Sequence, residues 1–429
     1  MKMKPLPPLG KYSPIVRNAS WLTLFEVMRI LMPFIAMPYL IHTVGRERYG
    51  AVVVAQAIIA FASLLVNFGL DISAVKDIAQ CRDDRRKTDE TVSAVMILKT
   101  LLFFCAWAIL IFLIHASPYF GRMSLLLCNA FPACVADVLV PVWYYQGKEN
   151  LRMLTFVRFF SIAFYTLTIF IFVRSEGDYA NIPLLQSAGL ILSGLASCYL
   201  VFVKDGVRFR VPAAAVIVRK FRESVPFFFS RASLAVNAQM AKIMCGAWLG
   251  NADVTAFDVA QKICNGGMMP VQMFCQALYP NLSKSRDRSL LRHSFGVTAL
   301  ITTAVAVALF FAAGFATDLL SAGRTPQSAA ILRILCLYVF FSGFSVFTGA
   351  SALVVFDRQR PFNASIILSS LVLVACYALM IATGSNSIYL YAWTLVLAEC
   401  VVLAYRFYYC RKYGLIDWRD AVPRRKANR

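Results

Sequence analysis

Eleven ionisable side chains lie inside long apolar stretches of this 429-residue chain. In a membrane span such a charge costs from about 2.5 kcal/mol upward and is by default a functional candidate. The basic ones are Arg29, Lys99, Arg158, Arg231, Lys242, Lys262 and Arg333; the acidic ones are Glu26, Asp137, Asp258 and Glu399. Glu26 and Arg29 are three apart, and Asp258 and Lys262 four apart, so each pair can meet on one helical face. Arg231 and Lys242 are eleven apart, and eleven steps of about 100° return to nearly the same face. Arg158 and Arg333 fall close to the ends of their stretches, where a long basic side chain can reach the interface. Cations exceed anions by three in this set. A hydrated cavity shared by the stripes around Arg29, Arg231, Lys242 and Lys262 would therefore attract an anion.

Other chemistries lack their residues. There is no G-x-x-x-x-G-K-[ST], no G-x-G-x-x-G and no H-E-x-x-H, so nucleotide-driven and zinc-hydrolase mechanisms are not indicated. The three histidines, His42, His115 and His293, are far apart, and the 12 cysteines include no C-x-x-C; no metal site, cofactor or disulfide framework is expected. A catalytic role is not expected. The Asp83, Asp84, Arg85, Arg86, Lys87 cluster reads as a solvated loop.

The elements that must position these charges follow from composition. Hydrophobic residues make up 59% of the chain, charged residues 15%, and the mean hydropathy is +0.66. Soluble domains carry roughly 25% charged residues, so the solvent of this chain is largely lipid. A bilayer core about 30 Å thick takes about 20 helical residues. Twelve such spans are predicted, near 19–44, 51–70, 92–114, 123–145, 154–173, 184–203, 225–249, 254–279, 294–314, 329–355, 362–382 and 388–408. Only helices or closed barrels satisfy the backbone in lipid, and these runs are too long for barrel strands. The predicted fold is an all-α integral membrane protein. The first apolar stretch is too long for a cleavable signal peptide and carries Glu26, Arg29, Pro33 and Pro38, so it reads as a retained helix.

Lysine and arginine in the connections set the orientation. With the N-terminus inside, 31 fall on the cytoplasmic side, eight of them at the C-terminal end, against five outside: Arg46, Arg48, Arg122, Arg174 and Arg324. Both termini are predicted to be cytoplasmic. The net charge of +21 then needs anionic membrane lipid and no nucleic acid as its partner. Trp143, Tyr144 and Tyr145 end the fourth span, and Tyr405, Phe407, Tyr408 and Tyr409 the twelfth, as an interfacial aromatic belt would.

The basic connection 204–224 separates six spans from six, which predicts an N-terminal lobe over 1–203, a C-terminal lobe over 225–408 and a basic tail over 409–429. An internal match at an offset of 205 supports the division. Between Gly45–Ile58 and Gly250–Ile263, six of fourteen positions are identical, among them Gly45, Val54, Ala55 and Gln56.

Five segments in order carry a family resemblance: Val44–Gly50 (VGRERYG), Asn67–Ala79 (NFGLDISAVKDIA), Pro141–Gly147 (PVWYYQG), Ser224–Ser230 (SVPFFFS) and Ala256–Ile263 (AFDVAQKI). The chain resembles the bacterial polysaccharide-unit flippases, the O-antigen and exopolysaccharide translocases of the MOP exporter superfamily. Phe257 departs from the family, which more often has Tyr there. The resemblance implies two six-helix lobes around a central cavity and an inner-membrane location. It implies transfer of undecaprenyl-diphosphate-linked oligosaccharide from the cytoplasmic to the periplasmic leaflet by alternating access. It also implies a coupling ion, H+ or Na+, and a polysaccharide polymerase and chain-length regulator as partners. Arg29, Arg231, Lys242, Lys262 and Lys99 are then expected to hold the diphosphate, because arginine forks and lysine ammoniums replace phosphate hydration. Glu26, Asp258, Asp137 and Glu399 are the expected pairing or ion-coupling carboxylates. The alternatives are an ion-coupled drug or metabolite antiporter, for which an excess of carboxylate is missing, and a membrane glycosyltransferase or polymerase, for which no large loop is present.

The orientation is testable by cysteine tags read with a membrane-impermeant reagent. Tags in the 204–224 connection and in the C-terminal tail should stay unreactive from the periplasm; labelling of either overturns the six-plus-six arrangement.

Overall fold

The computed structural model describes the backbone of residues 13–82 and 84–416, and the side chains of Met32, 34–82, 84–150, Met153 and 155–416. The expectations placed on Glu26 and Arg29 lie outside the described residues. Every regular element among the described residues is helical. The series begins with α1 (Ser13–Asn67), α2 (Leu70–Gln80), α3 (Arg85–Ala116), α4 (Pro118–Arg122), α5 (Ser124–Ala130), α6 (Ala133–Leu139), α7 (Val142–Gly147), α8 (Leu151–Phe172) and α9 (Asn181–Tyr199). It continues with α10 (Ala214–Trp248), α11 (Asn251–Gly267), α12 (Met269–Ser285), α13 (Arg288–Ser321), α14 (Gln327–Val346), α15 (Gln359–Thr383) and α16 (Ile388–Lys412). Short π-helical turns at Leu200–Lys204 and Phe347–Val354 follow α9 and α14.

Nine helices or helical runs among the described residues are long and apolar enough to cross a membrane, where the sequence predicts twelve spans. The first two predicted spans run together from Phe34 to Gln80 across a kink at Gly45, and the seventh and eighth are present as the helices α10 and α11–α12, which are less apolar. The reason for the second difference is composition. α10 carries Arg231 and Lys242, and α11 carries Asp253, Asp258 and Lys262, so neither is uniformly apolar.

Two helices that sequence periodicity treats as continuous or simple are broken at defined residues. α1 kinks at Gly45, whose φ of 79° is left-handed; the matching residue Gly250, just before α11, also has a positive φ, 119°. Glycine is the residue that tolerates this geometry without a Cβ penalty, and the two breaks fall at corresponding positions of the internal match. The fourth predicted span is three pieces, α5, α6 and α7, separated at Phe131–Pro132 and Val140–Pro141. Proline has no N–H to give the carbonyl four residues back and its ring crowds that carbonyl, which ends each piece.

The chain divides into two compact units. The first contains Met1–Val44 and Ile58–Arg231, the second Gly45–Ala57 and Ala232–Arg429. α1 and α10 therefore each contribute to both. In the first unit the core gathers Leu70, Ile78, Val95 and Leu98 around Trp143, Tyr144 and Tyr145. Those three aromatics are at most 2% exposed. The interfacial belt expected of them is corrected by the structure: their rings pack inside the protein, with Tyr145 Oη donating to Ser197 O at 3.1 Å. Glycine lets α10 approach the same core, since a Cβ on Gly69 would sit 2.6 Å from Phe227 Cβ. In the second unit α13, α14, α16 and the 347–354 turn enclose Phe295, Phe344, Phe347 and Leu353.

Trp143 and Trp107 separate the two readings of the aromatics. Truncating a large buried aromatic costs about 3–5 kcal/mol, so Trp143→Ala should sharply lower the thermal unfolding temperature of the purified protein. Trp107→Ala, at a residue 51% exposed, should leave it nearly unchanged. Equal effects would return Trp143 to the belt.

Candidate charged sites within the two units

In the second unit the site is built on α11. One helical turn separates Asp258 from Lys262, and Lys242 reaches the same carboxylate from α10. Lys242 Nζ is 2.8 Å from Asp258 Oδ1, and Lys262 Nζ is 2.7 Å from Asp258 Oδ2. Tyr49, on the α1 segment that belongs to this unit, completes the cluster. Its hydroxyl donates to Asp258 Oδ2 at 3.1 Å and accepts from Lys262 Nζ at 2.7 Å. That segment is seated by Thr255 Oγ1, which donates to Arg46 O at 2.5 Å, and by Gly50, where a Cβ would collide with the Asn251 carbonyl. The carboxylate of Asp258 is 1% exposed, while Lys242 and Lys262 are 13% and 30% exposed. Two ammoniums share one buried carboxylate, so the cluster keeps an excess positive charge on its more open side. Sequence spacing finds Asp258 and Lys262; Lys242 and Tyr49 join only through tertiary packing.

In the first unit a cavity of about 480 Å3 opens beside the broken fourth span. Asn67, Asp71, Lys99, Asp137, Trp143 and Arg158 are among its lining residues. Lys99 is 2% exposed, and its Nζ donates to Asn67 Oδ1 at 2.7 Å and to the backbone oxygen of Asp137 at 2.9 Å. The second contact has a specific cause. Residue 141 is where the helical donor to the Asp137 carbonyl would come from, and it is a proline. The lysine supplies the missing proton. Asp137 Oδ2 is itself buried without a hydrogen-bond partner among the described residues. Broken helices at membrane depth are tolerated where they line a cavity, and α6 with its flanking prolines meets that condition.

The remaining candidates separate. Arg231 belongs to the first unit, where its Nη2 is 2.9 Å from Asp71 Oδ2; it does not share the environment of Lys242, although both lie on α10. Lys220, also on α10, pairs with Asp77 of α2. Glu399 lies near Ser345 and the Arg406 guanidinium. Arg333 stands 6.0 Å over the Phe310 ring. Arg406, in the last turns of α16 and near the end of the twelfth predicted span, is the buried cation that the set of charged candidates lacks. It is 8% exposed; its Nε donates to Ser365 Oγ at 2.8 Å and its Nη1 to Ser345 O at 2.8 Å. Its position against Gly349 and Phe362, within the π-helical turn and α15, marks it as a brace for that turn.

Long apolar helices, interior ion pairs and a proline-broken span define a multi-pass helical membrane protein. The family described as "Polysaccharide biosynthesis protein" matches residues 15–286, and the chain belongs to it. Among relatives, it is 24% identical over 412 residues to a protein of Escherichia coli (strain K12) named "Putative O-antigen transporter", covering 93% of this chain and 97% of that one. A protein of the same name from Shigella dysenteriae is 25% identical over 272 residues, covering 62% of this chain and 67% of that one. The fold is similar to that of the lipid II flippase MurJ in an inward closed conformation, with a TM-score of 0.72 at 14% identity over 93% of this chain and 89% of that one. It is also similar to an inward-facing multidrug resistance MATE family transporter of the MOP superfamily, with a TM-score of 0.70 at 15% identity over 90% and 98% of the two chains.

The lysine that replaces a proline's missing donor gives a double-substitution test. Lys99→Met leaves the Asp137 carbonyl without a donor, a loss of about 1–3 kcal/mol, and should lower thermal stability. Adding Pro141→Ala restores a backbone N–H at the helical donor position and should recover a large part of the loss. No recovery, with Pro141→Ala alone harmless, would remove this account of Lys99.

Proposed function

We propose that the chain translocates a lipid-linked oligosaccharide across the bacterial inner membrane by alternating access, with both termini in the cytoplasm. The reading draws on the family membership and on the O-antigen transporters and lipid II flippase it resembles. The observation that carries it is the Lys242–Asp258–Lys262 cluster, in which two ammoniums are oriented by one buried carboxylate. A diphosphate is the part of such a substrate that hydrocarbon rejects. Lys262, the more open of the two, can exchange part of its contact with Asp258 for a phosphate oxygen, while Lys242 keeps the carboxylate neutralised. Tyr49 then remains a hydrogen-bonding partner to either.

Asp137 is the coupling carboxylate this reading favours, since its Oδ2 stands without a partner beside a cavity. Lys99 and Arg231 act as internal partners of that unit and not as direct diphosphate ligands, because their charged ends already meet Asn67, Asp137 O and Asp71. A polysaccharide polymerase and a chain-length regulator are the partners expected downstream. A drug antiporter is disfavoured because a cationic drug would meet excess ammonium at the α10–α11 cluster.

The three-membered cluster predicts an asymmetry between its members. Removing one lysine leaves Asp258 paired with the other, so Lys262→Met and Lys242→Met should keep near-normal membrane abundance and lose surface-glycan export. Removing the carboxylate leaves two half-buried cations unopposed, at a cost below the ~3–5 kcal/mol of a fully buried pair, so Asp258→Asn should reduce abundance itself. Full export by both lysine variants would end the diphosphate assignment.

A further inference from the structure

Three connections that the charge count places on the cytoplasmic side meet in the first unit: the turn between α2 and α3, the turn after α7, and the chain beyond Leu200–Lys204. Between them lies a second cavity, of about 450 Å3, whose lining includes Arg82, Arg85, Tyr144, Lys148, Asn150 and Asp205. Its walls are cross-tied. Arg82 Nε donates to Gly147 O at 2.7 Å, and its Nη2 is 2.7 Å from Glu149 Oε1. Lys148 Nζ donates to Arg82 O at 3.0 Å, and Tyr144 Oη donates to Asp205 Oδ2 at 3.0 Å. Asp89, also in the lining, accepts from Arg208 N at 3.0 Å and pairs with Arg210 Nε at 3.3 Å.

Those ties consume charge unequally. The hydrogen bond and charge of Arg82 hold the Glu149 carboxyl below its ordinary range, so Glu149 opposes Arg82 as an anion. Asp89 is paired with Arg210. Arg85 reaches no carboxylate among the described residues, and Lys148 spends its ammonium on a carbonyl, which leaves its charge unopposed. Asp205 is the one remaining acid, and it is hydrogen-bonded to a tyrosine. The cavity therefore presents two cations and an amide from Asn150 on a frame fixed by its own backbone contacts. Arg85 is exposed, as sequence reasoning expects of the Asp83–Lys87 cluster, and it also lines this cavity.

We propose that this cavity binds a phosphate group, carried either by a phospholipid headgroup or by a soluble phosphate compound. An arginine fork can take two phosphate oxygens and a lysine a third, and the connections that form the pocket join membrane spans, where headgroups lie. Asp205 at the rim adds a partner for an ammonium next to that phosphate. The proposal stands independently of the flippase reading, since it concerns other residues and needs no translocation.

The test uses the purified full-length chain in detergent with two probes, short-chain phosphatidylglycerol and inorganic pyrophosphate. Binding is read by native mass spectrometry and by thermal-unfolding shift. Saturable binding of at least one probe is expected. Arg85→Gln and Lys148→Gln together should weaken it by at least about tenfold, as losing charged hydrogen bonds would. Arg222→Gln, which removes an exposed charge outside the cavity, should not. Binding of the lipid alone assigns the site to a headgroup, and binding of pyrophosphate as well assigns it to a soluble phosphate; both support the pocket. Arg85→Gln alone, at an exposed position, decides the matter if the double variant folds poorly. Absence of saturable binding by either probe, or equal binding to parent and variant, overturns the proposal.

Discussion

A polar group inside a membrane protein has no water to fall back on, and this constraint organises both units. Leaving a buried carbonyl or charge without a partner costs more than a typical hydrogen bond returns. The Asp137 carbonyl meets Lys99 because Pro141 cannot serve it. The Asp258 carboxylate collects two lysines and a tyrosine hydroxyl. Arg406 distributes its guanidinium over Ser345 and Ser365. In each case a charged side chain and a break or irregularity in a helix are parts of one solution, and neither is stable at that depth alone.

The glycine and proline positions decide where those solutions can form. Gly45 and Gly250 turn the chain immediately before segments that then lie together in the second unit, Arg46–Ala57 and Asn251–Ile263. Gly50 admits the Asn251 backbone, which brings Tyr49 onto Asp258. Pro132 and Pro141 cut the fourth span into pieces and so open the wall that Asp137 occupies. A chain with the same hydrophobicity and no such residues would form the spans without these sites.

The α11 cluster and the cavity beside α6 differ in the sign of what they leave unsatisfied. The second unit carries an excess ammonium on α10 and α11, suited to an anionic group. The first unit carries, beside the cavity at α6, a carboxylate oxygen of Asp137 with no partner among the described residues.

Composition and hydropathy alone determined an all-helical membrane protein, because no other structure satisfies its backbone in lipid. The spacing of Asp258 and Lys262 determined one ion pair, since residues four apart on a helix must be neighbours. Tertiary structure alone decided the rest. Arg231 and Lys242 share a helix face by arithmetic, yet α10 passes from one unit to the other between them, and each takes the carboxylate that its own unit brings near: Asp71 and Asp258. Arg406 falls near the end of a predicted span, where a long basic side chain can reach the interface, and only packing shows it buried. Trp143 to Tyr145 looked like a lipid-facing belt, and only the breaks at Pro132 and Pro141 turn them inward. Helical periodicity fixes which residues are neighbours along a helix; it carries no information on which other helix arrives, and a buried charge is defined by that arrival.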